Sequence, residues 1–131
     1  MGGAFSSAPR MSTFKNEPTR KTGTDKDTLS PDTRLRIAVM GGNEEIGRNM
    51  TMVEINDQIV VIDAGIQFRT PETPGINYIV PNVSYLAENK HKIKALVITH
   101  GHLDHIGAVQ HLLPSLHFPP CYGTKLTMAF V

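Results

Sequence analysis

The segment 99–105 brings together, at close spacing, residue types that bind metal ions. Three histidines and one aspartate fall within six positions, at His100, His102, Asp104 and His105. Imidazole is the commonest protein ligand of zinc and similar divalent ions, and carboxylate complements it. At the end of an extended strand His100 and His102 can point the same way, while Asp104 and His105, in the next turn, can face a second position. The spacing therefore predicts two ligand pairs and two metal ions.

Paired metal ions of this kind perform hydrolysis, because together they activate a shared hydroxide and hold the attacking and leaving oxygens. The motif supplies four ligands, fewer than two ions need, so further ligands are required. Neither His111 nor His117 is a convincing substitute. His111 lies two turns into the following predicted helix, and its position indicates an ordinary surface or half-buried histidine.

Asp63 is the second residue of interest. It follows the apolar run 59–62 and precedes Ala64 and Gly65, so an ionisable group lies where a core strand ends. A hydrogen bond to the remaining N–H of a metal-binding histidine would satisfy this carboxylate. A turn-forming aspartate explains the same position equally well. The residues alone leave both interpretations open.

The glycine-rich loop 41–49 has the glycine spacing of a phosphate-binding loop but not its chemistry. Arg48 stands where that motif needs lysine, and Asn49 stands where it needs a hydroxyl. A strand rather than a helix is predicted to follow, and Glu44 and Glu45 would repel phosphate. The sequence therefore argues against nucleotide binding here.

Apolar runs and turn residues predict an alternation of strands and short helices around these groups. A strand at 35–40 precedes a hairpin of Met50–Ile55 and Gln58–Ile62, whose second strand is expected to be buried on both faces. The connection 66–82 is expected to be irregular, with one short extended piece at 78–80. The remaining predicted elements are a helix at 84–92 capped by Asn82 or Ser84, a strand at 93–99, a helix from Asp104 to Pro114, a brief strand at 121–122 and the start of a helix at 125–131.

The composition excludes several kinds of site and names no partner. The 131 residues include 13 Lys+Arg, 12 Asp+Glu and one cysteine, for a formal charge of +1. This balance names no polyanionic partner, and one cysteine excludes both an internal disulfide and a cysteine-rich zinc site. No apolar run approaches the length of a membrane span, so no membrane partner is expected.

The chain divides into a tail and a domain. Residues 1–33 are rich in Ser, Thr, Pro and Gly and are expected to be disordered, whereas residues 34–131 are expected to fold. A cytoplasmic location is the favoured expectation. Organellar targeting by the tail is the alternative, because residues 1–16 contain no acidic side chain.

The motifs at 41–49, 62–65 and 99–108 together resemble the metallo-β-lactamase superfamily. More narrowly, segments 47–50, 75–82, 85–90 and 122–126 resemble the ribonuclease J family of β-CASP nucleases. These segments span nearly all of residues 34–131, and the tail lies outside the match.

This resemblance implies an α+β fold, the αββα sandwich, of which only the N-terminal half is present. It also implies a zinc-dependent hydrolase that cuts RNA both from the 5′ end and internally, in RNA processing and decay. On this basis His100 and His102 bind one zinc ion and Asp104 and His105 the other, with manganese as an alternative metal. Asp104 and His105 become the candidate catalytic residues, and Asp63 the carboxylate behind the ligands.

The resemblance further implies RNA as substrate, and a homo-oligomer or a ribonuclease complex for the full-length protein. The family's later ligands and its β-CASP domain have no counterpart in this sequence. The chain is therefore interpreted as an N-terminal portion that is weak or inactive alone. Two alternatives stay open: a hydrolase of the same fold acting on a small ester, thioester or lactam, and an inactive metal-binding fragment.

Overall fold

The computed structural model describes residues 30–131. Most of the predicted tail, including the residues considered for targeting, therefore lies outside the described residues. Residues 30–33 form a turn in which the Thr33 N–H donates to the Ser30 carbonyl at 2.8 Å.

A five-stranded mixed sheet carries the described part of the chain. Its strands are β1 (Leu35–Gly41), β2 (Met50–Ile55), β3 (Gln58–Ile62), β6 (Ile93–Val97) and β7 (Cys121–Tyr122), in that spatial order. The pairs β1–β2 and β2–β3 are antiparallel, whereas β3–β6 and β6–β7 are parallel. Because parallel strands end at the same edge, β3 and β6 deliver their following residues to one place.

The helices are short and are α1 (Ser84–Glu88), α2 (Leu103–Ile106), α3 (Val109–Leu112) and α4 (Lys125–Met128), with a 3₁₀ turn at Lys90–Lys92. Two short strands, β4 (Gln67–Phe68) and β5 (Tyr78–Ile79), pair antiparallel in a separate two-stranded sheet. None of the helices in residues 30–131 has the length and apolar character needed to cross a bilayer.

The core lies between the helices and one face of the sheet. Met50, Met52 and Val61 alternate inward from β2 and β3, and each is at most 2% exposed. Leu86 of α1 and Leu112 of α3 belong to the same buried cluster. This layering of helices on a mixed sheet confirms the predicted α+β class.

The hairpin prediction is confirmed, with β2 and β3 joined through Asn56, whose φ of 53° suits a tight turn. The prediction that β3 is buried on both faces is wrong. Ile59 and Val61 are fully buried, but Val60 and Ile62 are only half-buried. The reason is that helices cover one face of the sheet and nothing among residues 30–131 covers the other.

The segment 66–82 is more regular than expected. It contains the β4–β5 pair, in which Gln67 pairs with Ile79 and Phe68 with Tyr78. Two-residue strands give no alternating pattern in the sequence, so only the β5 piece could be anticipated.

Three predicted helices are shorter than the sequence suggested. α4 ends at Met128 and does not continue to residue 131. α1 ends at Glu88, and the chain tightens into the 3₁₀ turn before β6. Val83 occupies the cap position of α1 and makes no side-chain cap bond, so neither predicted residue lies there. Asn82, one residue earlier, still accepts from the first N–H of α1, because its Oδ1 atom lies 3.0 Å from the Ser84 nitrogen.

The predicted helix from Asp104 to Pro114 is two helices separated at Gly107 and Ala108. A continuous helix would bond the Ala108 N–H to the Asp104 carbonyl. Here the Ala108 N–H donates to the Ala64 carbonyl at 2.8 Å, and the Asp104 carbonyl accepts from the Asn49 N–H at 3.1 Å. Contacts with neighbouring loops therefore replace the helical bond.

Candidate metal centre

The parallel pairing of β3 and β6 places Asp63 beside the histidine motif. Ile62 pairs with Val97, and the Asp63 N–H donates to the Val97 carbonyl at 2.8 Å. Asp63 has a φ of 61°, which turns its side chain out of the strand and toward the segment after β6. Its side chain is only 8% exposed.

Three donor groups satisfy the Asp63 carboxylate. The Thr99 N–H donates to Oδ1 at 2.8 Å, and the Thr99 hydroxyl reaches Oδ2 at 2.8 Å. The Nδ1 atom of His105 lies 2.8 Å from Oδ2. The Asp63 carboxylate therefore supports a histidine. It does not cap the Gly65 loop, because the Gly65 N–H donates to the Asn49 carbonyl at 3.0 Å.

These bonds set the tautomers of two histidines. Because a carboxylate only accepts, His105 must carry its proton on Nδ1, which leaves the Nε2 lone pair available. The Thr99 hydroxyl donates to Asp63 and so can only accept from His100, whose Nδ1 lies 3.0 Å from the Thr99 Oγ1 atom. His100 is therefore also protonated on Nδ1. Both imidazoles present Nε2, the nitrogen that a metal ion would take.

The three imidazoles of the motif lie together. The ring centroids of His100 and His105 are 4.0 Å apart, and those of His100 and His102 are 4.7 Å apart. His102 is exposed at the start of α2, whereas His100 and His105 are half-buried. The strand end and the first turn of α2 thus bring the motif residues to one edge of the sheet.

Asp104 completes the cluster, with its Oδ2 atom 3.4 Å from the His105 Nε2. The Asn49 amide nitrogen lies 3.1 Å from that same Oδ2 and 3.3 Å from that same Nε2. Its two N–H groups can donate to both atoms at once. The same nitrogen also lies 3.1 Å from the Asp104 carbonyl oxygen. The Asp104 Oδ2 and the His105 Nε2 therefore both face the Asn49 amide, where they converge.

This convergence tests whether the residues suit a cation. A nitrogen and a carboxylate oxygen directed at one point form a suitable donor pair for a divalent ion. The side chains of residues 30–131 nevertheless contain no group of three or more His, Cys, Asp or Glu arranged to hold one ion. Asp104 and His105 supply one such donor pair. The metal role of the four residues stays a prediction.

Sequence reasoning missed Asn49 and Thr99 as members of this site. Both are common polar residues, and neither has a spacing that marks a function. In the sequence Asn49 is only a departure from a phosphate loop, and Thr99 is only the residue before His100. Their contacts with Asp104 and Asp63 depend on chain segments 55 and 36 residues apart, which only the fold brings together.

The glycine-rich loop supports the argument against nucleotide binding. The Gly42 N–H, which a phosphate would need, donates to the Glu45 Oε1 atom at 3.1 Å. Arg48 bonds both oxygens of the same carboxylate, at 2.8 and 2.6 Å. The Arg48 bond, followed by the Gly42 N–H, lowers the pKa of Glu45. The loop therefore satisfies its own donors with an internal anion.

His111 and His117 are both exposed. The His111 ring stacks on Tyr78 with centroids 4.8 Å apart, so it packs against β5. The expectation of an ordinary surface histidine at position 111 is confirmed.

Comparison with known proteins agrees with this architecture. Residues 44–130 match the family model of the metallo-beta-lactamase superfamily. The match covers the hairpin, the Asp63 turn, the histidine motif and α4. It therefore includes every residue of the candidate metal centre.

Several curated relatives are ribonucleases. The chain is 43% identical over 97 residues to ribonuclease J of Synechocystis sp., covering 74% of this chain and 15% of that protein. It is 42% identical over 105 residues to ribonuclease J of Thermus thermophilus, covering 77% and 18%. It is 44% identical over 97 residues to ribonuclease J 2 of Staphylococcus aureus, covering 74% and 17%.

The predicted resemblance to ribonuclease J is thereby confirmed at the level of sequence similarity. The chain spans less than a fifth of the length of the curated relatives it matches. The family match over residues 44–130 shows that this chain belongs to the metallo-β-lactamase superfamily.

Proposed function

We propose that this chain forms the metal-binding part of a ribonuclease J-like nuclease that hydrolyses phosphodiester bonds in RNA. One observation carries the proposal: hydrogen bonds to Asp63 and Thr99 place the protons of His105 and His100 on Nδ1, and the Nε2 of His105 lies beside the Asp104 carboxylate. Histidines whose tautomers are set by a buried carboxylate are typical of metal ligands. The similarity to ribonuclease J sequences favours RNA as the substrate.

The proposed metal is zinc, with manganese as the alternative, because nitrogen and oxygen donors accept both. His100 and His102 would hold one ion, and Asp104 and His105 the other. When bound, such a pair supplies an activated hydroxide and an electrophile for the phosphate oxygens. Asp104 and His105 are the proposed catalytic residues. Asp63 holds the His105 proton on Nδ1 and keeps that ring in place.

Four ligands shared between two ions leave each ion with two protein donors, fewer than the three typical of catalytic zinc. We therefore expect the 131-residue chain alone to cleave RNA weakly or not at all. The same proposal includes a β-CASP domain in the full-length protein and cleavage of RNA both from the 5′ end and internally. It also includes a homo-oligomer or a ribonuclease complex and a cytoplasmic location. Each follows from the resemblance to ribonuclease J.

A segment exchange tests the proposal. Residues 34–131 would replace the matching segment of the Thermus thermophilus ribonuclease J, and cleavage of a 5′-phosphorylated RNA would be followed on gels. We expect zinc- or manganese-dependent cleavage that His102→Ala abolishes. His91→Ala, which removes an exposed histidine of the 3₁₀ turn, is the matched control and should leave cleavage unchanged.

A folded hybrid that cleaves no RNA contradicts the proposal. Hydrolysis of a thioester or a β-lactam by that hybrid, without RNA cleavage, would favour the small-molecule alternative. Zinc-dependent cleavage by the 131-residue chain alone, lost in His102→Ala, would contradict the expected weakness of the isolated chain.

A further inference from the structure

A cavity of about 850 Å³ opens beside the candidate metal centre. His102 and Asp104 line one part of it. Phe68 at the end of β4, the following Arg69 and Ile46 line another part. This volume is enough for a nucleotide-sized ligand. Any molecule in the cavity would therefore lie against the proposed ligands and the β4 residues together.

Backbone hydrogen bonds connect these two parts of the cavity lining. The Ile66 N–H donates to the Leu103 carbonyl at 3.1 Å, and the Ile66 carbonyl accepts from the Arg48 N–H at 3.0 Å. Gly47 packs so closely on β4 that an added Cβ would lie 2.8 Å from the Gln67 Cα atom. The position of Phe68 relative to His102 is therefore fixed by the fold.

The side chains of Phe68 and Arg69 suit a nucleotide. Phe68 is 58% exposed, and the neighbouring apolar side chains Ile46 and Leu103 are 91% and 52% exposed. An exposed aromatic ring next to a polar site offers a flat surface on which a base can stack. Arg69 is exposed and makes no ion pair among residues 30–131. Its guanidinium is available to a phosphate.

We propose that Phe68 and Arg69 form a nucleotide-binding subsite, in which Phe68 stacks on the base next to the scissile phosphate and Arg69 binds a neighbouring phosphate of the RNA strand. This inference rests on the proposed function and deepens it. It assigns substrate contacts to β4, a segment that carries none of the motif residues.

The Arg69 contact is tested by salt dependence. Binding of a fluorescein-labelled ten-nucleotide uridine oligomer to the full chain would be measured by anisotropy in EDTA, so that no cleavage alters the ligand. Each phosphate contact with a single strand contributes about 0.7 to the slope of log K against log salt. Arg69→Gln should therefore weaken binding and lower the slope by about 0.7. Arg34→Gln, which removes an exposed cation away from the cavity, should leave the slope unchanged.

The Phe68 contact is tested by removing either the ring or the base. Phe68→Leu should weaken binding about tenfold with an unchanged salt slope, because stacking involves no counterion release. Against an abasic oligomer of the same length the variant should bind as well as the parent chain. Phe118→Leu is the matched control, since Phe118 is 69% exposed and does not line the cavity.

Both substituted side chains are exposed, and unchanged melting temperatures would show that the variants fold. Absence of oligomer binding by the parent chain overturns the subsite. So do equal losses in the control variants, or an unchanged affinity in Phe68→Leu and Arg69→Gln. If the variants behave as expected and the hybrid enzyme cleaves no RNA, the subsite stands and the proposed nuclease activity falls.

Discussion

At the scale of single residues, Asp63 connects two histidines that are not adjacent in sequence. Its Oδ2 atom meets the His105 Nδ1 directly and reaches His100 through the Thr99 hydroxyl. The sequence indicated that a carboxylate at the end of a core strand needs a partner. It could not name the partners, because the Asp63 contacts cross 36 and 42 residues of chain.

Replacing Asp63 with asparagine should change the state of His105. An amide N–H directed at Nδ1 would force the proton to Nε2, so the ring could no longer offer Nε2 to a metal. We expect metal affinity to fall about 10- to 100-fold. The ¹⁵N shifts of the His105 ring in the metal-free chain would report the tautomer directly.

The control for this substitution is Asp57→Asn in the hairpin turn, where the side chain is 87% exposed. It removes the same charge far from the histidines and should leave the ring shifts unchanged. An unaltered His105 tautomer in Asp63→Asn would contradict the assigned role of Asp63.

Cys121 allows a separate test of burial in β7. Burial raises the pKa of its thiol, because the thiolate is the charged form and loses hydration. Alkylation requires the thiolate, so at pH 8 iodoacetamide should react more slowly with the folded chain than with the chain in urea. The folded chain should also need a higher pH to reach its full rate. Equal rates in both states would show that the thiol is not shielded.

At the scale of elements, close packing between turns and α2 builds the site. A Cβ added at Gly65 would lie 1.6 Å from the Asp104 carbonyl oxygen, so only glycine fits after the Asp63 turn. The same contact region interrupts the predicted helix from Asp104 to Pro114. Its apolar spacing correctly indicated helix, but spacing does not show which backbone groups bond to other loops.

Gly65→Ala should therefore destabilise the fold by about 3 kcal/mol, because backbone atoms of α2 must move to admit a methyl group. Thermal unfolding followed by circular dichroism would measure the change. Gly101→Ala is the matched control, since its nearest contact would be Phe130 at 3.4 Å. That variant should change stability by less than about 0.5 kcal/mol. Equal melting temperatures for both variants would contradict the packing argument.

At the scale of the whole molecule, the five-stranded sheet has one covered and one open face. The register places Leu35, Ile37 and Val39 of β1 on the open face, where they are 61%, 62% and 55% exposed. Val53 and Val60 continue that face across the next two strands. In the described part of the chain, one face of the sheet therefore exposes apolar side chains to solvent, which a sheet covered on both sides would not do.

Ile37→Lys should reduce binding of the dye ANS, which reports exposed apolar surface, and should change stability by less than about 0.5 kcal/mol. Met52→Lys places the same charge on the covered face of the neighbouring strand. Because Met52 is 2% exposed, that variant should lose about 3 kcal/mol or more. Similar stability losses in the two variants would show that the two faces are equally buried.

The sequence by itself determined the strand and hairpin pattern, the ligand types at 100–105 and the resemblance to a family, because these depend on local periodicity and spacing. Only the tertiary structure decided which side chains support the motif. Asn49, Asp63 and Thr99 act through hydrogen bonds between distant segments, and such bonds leave no local pattern. The open face of β3 and the cavity at Phe68 were likewise decided by the tertiary structure, because burial depends on what packs against a strand as well as on the composition of the strand.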